Sequence, residues 1–198
     1  MSESSEYQYG TIFNTGITMK LLSVCMLAAI FAVSMTTAEP HYIGSDKCAK
    51  MCHKGEKKGS QYEKWQNEAH SKAYKTLATA PAKETAKNAG ITGDPQKAPE
   101  CLRCHVTAPP GVKKELIDST CTYAEGIGCE GCHGPGSDYR KLNAMKNHEM
   151  AVAAGMIEQT EASCVRCHNR ESPNYKPFNY AEAIKKIAHP IPGKASKK

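Results

Sequence analysis

The residues best equipped for chemistry in this chain are four pairs of thiols, each with a histidine directly after the second cysteine. They are Cys48-Ala-Lys-Met-Cys52-His53, Cys101-Leu-Arg-Cys104-His105, Cys129-Glu-Gly-Cys132-His133 and Cys164-Val-Arg-Cys167-His168. Cys-x-x-Cys-His is the attachment sequence of a c-type haem: the thiols add to two vinyl groups as thioethers and the imidazole meets the iron. The pattern predicts four covalently bound haem c groups, with Cys48, Cys52, Cys101, Cys104, Cys129, Cys132, Cys164 and Cys167 as attachment points. His53, His105, His133 and His168 are then the proximal iron ligands. The first site is one residue longer than the others, so its chain must bulge between the two thioethers.

Paired Cys-x-x-Cys also builds tetrathiolate zinc knuckles. Zinc does not need a histidine after every second cysteine, yet all four pairs have one. With histidine at eight of 198 residues, four such coincidences have odds on the order of a few per million. The haem reading stands.

Four further histidines are available as distal ligands: His41, His70, His148 and His189. The elements that would carry them can be read from the chain. Ser60-Gln-Tyr-Glu63 has the form of a capping box and opens a helix. Tyr62, Trp65, Gln66, Ala69, His70, Ala73 and Leu77 form one stripe along it, breaking near Pro81, with Gly90 ending its continuation. Residues 112–125 read as a short hairpin. Asp138 to Ala154 reads as one helix stopped by Gly155, with Met145, His148 and Val152 on a face. Asn179-Tyr-Ala-Glu182 caps a last short helix carrying Ile184, Ile187 and His189 and stopping at Pro190. His70, His148 and His189 therefore lie on or at the end of helices, whereas His41 lies in a lead segment. At least three bis-histidine irons are expected; the fourth is either open or served by His41. Met145, Met150 and Met156 read as packing.

The ends and the composition frame these sites. Residues 1–18 are polar and unpatterned. Met19-Lys20 then opens an apolar run, Leu21 to Met35, which closes on Thr36-Thr37-Ala38. The span 19–38 reads as a secretory signal, too short for a comfortable membrane span, so the chain is expected in the periplasm with no stable membrane span after cleavage near Ala38. Cleavage leaves 160 of the 198 residues, residues 39–198, one domain of about 40 residues per haem. With three Phe and one Trp in the whole chain, the porphyrins must serve as the core. Without residues 1–38 the net charge is about +7, which reads as compensation of haem propionates and a solvated face; nucleic-acid binding has no motif here. The lysine-rich tail, 193–198, reads as disordered. Cys25 leaves with the signal, so Cys121 is the one cysteine without a haem role, a partly buried thiol or a route to an oligomer.

The run Gly126-Ile-Gly-Cys129-Glu-Gly-Cys132-His133-Gly-Pro-Gly136, with Lys47-Cys48, Trp65, Ala69-His70, Ala73, Cys101, Cys104-His105-Val106 and Cys164, Cys167-His168, resembles the tetrahaem cytochrome c-554 family from about residue 44 to 190. The resemblance implies a mainly α, small multihaem cytochrome c fold, helices and loops wrapped around four stacked haems, the first paired with the third and the second with the fourth. It also implies that His148 ligates the first iron, His70 the third and His189 the fourth, leaving the second, on His105, five-coordinate. The expected role is an electron-transfer carrier between periplasmic redox partner proteins, in nitrogen-compound respiration. The alternatives are a nitric oxide reductase at an open second haem and a haem-bearing subunit locked into a complex.

Overall fold

The computed structural model describes residues 38–189. The span read as a secretory signal, apart from Ala38, lies outside the described residues, as do Cys25 and the tail 193–198. Glu39 onward forms one compact unit. It is helical, with no strand among the described residues, and none of its helices is long and apolar enough to cross a membrane.

The helices are short: α1 (Ser45–Cys48), α2 (Gln61–Asn67), α3 (Ala73–Thr76), α4 (Ala80–Asn88), α5 (Pro99–His105), α6 (Cys129–His133), α7 (Leu142–Met145), α8 (His148–Ala153), α9 (Glu161–Val165) and α10 (Tyr180–Ile187). Most are too short to stand alone in water. The apolar core is correspondingly small. Leu77, Leu102 and Val106 form its cluster with Tyr74 and Cys101 against them, and elsewhere the buried apolar residues are mainly alanines.

Three expected elements are cut differently. The stripe from Tyr62 to Leu77 is interrupted. α2 ends at Asn67, Glu68 is extended (ψ 165°), and a 3-10 turn, His70–Lys72, precedes α3. Ser71 Oγ satisfies the loose end by donating to Gln66 O and Glu68 O. The capping box does not form either: Ser60 caps nothing, and Glu63 Oε1 accepts from Gly55 N instead (3.0 Å). Pro81 does not break a helix but starts α4, where its missing N–H costs nothing, with Thr79 as N-cap.

The span Asp138 to Ala154 likewise divides into α7 and α8, because Asn147 caps α8 by accepting from Met150 N (3.0 Å). Residues 112–125 hold two 3-10 turns, Lys114–Leu116 and Tyr123–Glu125, rather than a hairpin; their β contact is an isolated parallel bridge, Ile117 to Tyr42. The last helix is capped as its sequence predicts, Asn179 accepting from Glu182 N (3.1 Å).

Candidate haem sites

All eight motif cysteines line one cavity of about 2530 Å³, as do His53, His70, His105, His133, His148, His168 and His189. An ordinary small-molecule site spans about 300–1,000 Å³, so this space suits several large groups. Its wall is mainly apolar. His41 is not on the wall: its Nε2 is 3.3 Å from Asp118 Oδ1, and Lys47 Nζ holds the other carboxylate oxygen at 3.0 Å. Among the described residues no three His, Cys, Asp or Glu side chains converge as a metal cage.

The third site is the best anchored. Glu130, inside its motif and 2% exposed, accepts from three backbone amides: Ile43 N (2.9 Å), Gly44 N (2.7 Å) and Gly136 N (2.6 Å). Burial pushes its carboxyl up, against the downward pull of those amides. This carboxylate ties the lead segment to the turn after His133. Cys129 N donates to Ser45 Oγ (3.1 Å) and Gly128 N to Thr107 Oγ1 (2.7 Å).

The small residues before the motif serve chain contacts as well as access to a flat ring. Gly126 has φ +67°, and a Cβ there would lie 2.5 Å from the His70 carbonyl oxygen. Ile127 N donates to that same oxygen (2.9 Å), so the lead into the third site docks on the backbone of His70.

The longer first site is wound as a π-helix, Ala49–His53, directly after α1. At about 100° per residue, Cys-x-x-Cys-His on an α-helix sets the second thiol about 300° from the first and the histidine about 40° past a full turn. One extra residue at that pitch would swing both by about 100°. A π turn holds one more residue, so each turns roughly 80°, and the thiol and histidine return to about 320° and 40°. The expected bulge is therefore a regular widened turn, and it keeps the motif's geometry. The second and third motifs lie in α5 and α6, and the fourth begins in α9.

Two histidine pairs face each other. His70 and His168 have ring centroids 6.0 Å apart at 88°, and His133 and His189 6.0 Å apart at 48°. Metal–imidazole bonds of about 2.0 Å on both sides of one ion put ring centroids roughly 6 Å apart, so both pairs fit a shared iron. The resemblance assigned His70 to the third site and His189 to the fourth; in the structure His70 lies beside His168 of the fourth motif and His189 beside His133 of the third. Phe178 stacks on His168 (4.9 Å, 19°).

His105 is held by its Nδ1, which donates to Ala73 O (2.7 Å), leaving Nε2 for a metal. His148 stands at the rim, its side chain 65% exposed, with Nε2 3.3 Å from Glu158 Oε1. Burial, first, pushes His53, His70 and His133 below the ordinary imidazole range, which favours the neutral ring that a metal requires.

Thiols of different sites also touch. Cys48 lies close enough to Cys129, and Cys104 to Cys167, for each thiol to bear on the other's ionisation, so the first site neighbours the third and the second the fourth. Arg166 Nη2 donates to Gly131 O (3.1 Å) and Arg103 pairs with Glu171 (2.7 Å), cross-bracing these sites. Cys121 is 9% exposed. It donates to Glu125 Oε1 (3.8 Å), and burial and that carboxylate push it up to about 12. This is the buried-thiol reading, and it leaves little access for an intermolecular disulfide. Glu130, Thr107 and Phe178 were not singled out from sequence. Glu130 alone carried a signal, as a charged residue between two small-residue positions of the motif.

Residues 47–134 match the family described as cytochrome c554 and c-prime. Cytochrome c-554 of Nitrosomonas europaea is 32% identical over 131 residues, covering 62% of this chain and 52% of that protein. The C-type polyheme cytochrome OmcC of Geobacter sulfurreducens is 31% identical over 91 residues, covering 41% of this chain and 12% of the relative. The chain thus spans about half of the first relative's length and less of the second's. The solved reduced state of cytochrome c554 from Nitrosomonas europaea superposes with a TM-score of 0.50 at 26% identity, covering 75% of this chain and 79% of that one. With its repeated thiol–histidine sites converging on one cavity, the chain is similar over residues 47–134 to the cytochrome c554 family of multihaem c-type cytochromes.

Proposed function

We propose that this protein is a periplasmic tetrahaem electron carrier that passes electrons between redox proteins in nitrogen-compound respiration. The observation that carries the reading is the convergence of four Cys–Cys–His sites on one cavity with two histidine pairs at the spacing of a shared metal ion. The π winding of the first motif supports a count of four rather than three.

Haem c, when bound, supplies a one-electron iron couple. The chain's own residues fix how it is used. His168 with His70, and His133 with His189, would hold two irons between paired imidazoles, which would suit electron exchange with little rearrangement. His148, 3.3 Å from Glu158 Oε1, would serve the first site, as the resemblance implies, once released from that carboxylate. The Ala73 carbonyl orients His105 and makes its Nε2 a better donor. The contacts between sites one and three and between sites two and four give two short routes for electrons.

Spectroelectrochemical titration of the mature holoprotein tests the proposal. Four reversible one-electron steps per chain are expected without added substrate. Fewer than four electrons, or nitric oxide turnover that outpaces electron exchange, would overturn it.

A further inference from the structure

We propose that Glu130, with Glu125 beside it, makes the third site the lowest-potential centre of the chain, the one that gives up its electron first. The proposal rests on the carrier reading above and adds a direction of internal electron flow to it.

The residues enclosed by the four motifs differ in sign. Lys50 lies within the first, Arg103 within the second and Arg166 within the fourth, and all three are exposed. The third encloses an acid instead, and Glu130 is the one charged side chain that is buried among the described residues. Its two oxygens accept from Ile43 N (2.9 and 3.0 Å), Gly44 N (2.7 Å) and Gly136 N (2.6 Å). Burial alone favours a proton on this group. Every one of these partners is a donor, however, so a proton would have to displace one of them. The ionised form is the form the site is built to hold.

Glu125, half-buried, brings a second carboxylate to the same place. Its Oε2 accepts from Ser45 N (3.0 Å) and its Oε1 from Thr107 Oγ1 (3.0 Å). Ser45 Oγ and Thr107 Oγ1 in turn accept from Cys129 N and Gly128 N. A Cβ on Gly128, next to Cys129, would lie 2.6 Å from Glu125 Oε1. Ferric haem carries one more positive charge than ferrous haem, so a nearby anion favours the ferric form and lowers the potential. Arg166, on the Gly131 carbonyl, opposes this, but it is exposed and screened by water and salt. The first site neighbours the third through Cys48 and Cys129. One electron thus leaves the ferrous third site and reduces the ferric first site, with no proton required.

The competing role for both carboxylates is mechanical bracing alone, and a redox titration of the holoprotein followed by electron paramagnetic resonance separates the two. The third site is identified as the low-spin signal that His189→Ala turns high-spin. Wild type is compared with Glu130→Gln, Glu125→Gln, Glu125→Asp and Glu84→Gln, the last on an exposed position of α4. At position 125 a glutamine can still accept from Ser45 N and can donate to Thr107 Oγ1, so no donor there is orphaned.

The third-site midpoint should be the lowest of four in the wild type. Glu130→Gln should raise it, making reduction about tenfold more favourable, and Glu125→Gln should raise it by about threefold, with g values unchanged in both. Glu125→Asp, which keeps the charge, and Glu84→Gln should stay within about twofold of wild type. The Glu125 pair decides the matter even where Glu130→Gln fails to load haem. An unmoved midpoint in Glu125→Gln would overturn the proposal, as would equal shifts in Glu125→Gln and Glu125→Asp or a third site that is not the lowest. Fewer than four one-electron steps in the wild type would instead remove the carrier reading on which the proposal stands.

Discussion

The imidazole of His70 stands edge-on to that of His168, ring centroids 6.0 Å apart, although the two residues are almost a hundred positions apart in sequence. On that relationship we propose that His70 serves the fourth site. Changing His70 to Ala should convert one low-spin iron to high-spin in the electron paramagnetic resonance spectrum of the oxidised holoprotein. The affected haem should be the one on Cys164 and Cys167. A high-spin signal traced to the third site would restore the assignment that the resemblance implied.

The same pair sets an acid limit. Burial, then the charge of His168, pushes the His70 ring below its ordinary value. Its folded pKa is therefore depressed, and the neutral ring's contribution is present above the unfolded value of about 6.5 and is lost as pH falls below it. Protons then compete with iron for the ring. An optical titration from pH 7 downward should show low-spin bands giving way to high-spin ones. A spectrum that loses low-spin character on raising the pH from 7 to 8 would have the wrong sign.

Deleting Met51 gives the first site the ordinary Cys-x-x-Cys-His spacing. If π winding only absorbs the added residue, the shortened motif should wind as an α-helix and keep its haem. Conversely, inserting Ala after Gly131 should cost the third site its haem, because α6 is braced by Glu130 and by Arg166 on the Gly131 carbonyl. Haem counts of the two variants by mass spectrometry check both halves; equal behaviour of the two would contradict the account.

Glu130→Ala strips an acceptor from the amides of Ile43, Gly44 and Gly136. Buried amides left unsatisfied cost about 1–3 kcal/mol each, so the loss should be on the order of 3 kcal/mol or more. The holoprotein should melt well below wild type, with its protease sensitivity appearing first around residues 39–44. An unchanged melting temperature would mean that the lead segment is held by other means.

The covalent chemistry was legible in the sequence because it depends on spacing within five or six residues. Helix caps set by local side chains, such as Asn179, were legible for the same reason. What was hidden depends on distant chain. The helix from Tyr62 onward looked continuous by its apolar stripe, but the His70 carbonyl is used by Ile127, and only the packed chain reveals that bond. His41 and His148 were both available in the sequence as distal ligands, one in the lead segment and one on a helix. One is drawn off by Asp118, and the other holds Glu158 at the cavity rim. Distal ligand pairing is a property of the packed chain, and no local pattern encodes it.

The central claim is that all four thiol–histidine sites, including the widened first one, carry covalent haem. Intact-mass spectrometry of the exported protein, with an iodoacetamide count of free thiols after unfolding, measures this directly. The account predicts the mass of residues 39–198 with four haems and one reactive thiol, Cys121. Three haems with Cys48 and Cys52 both alkylated, or bound zinc in place of haem, would contradict it.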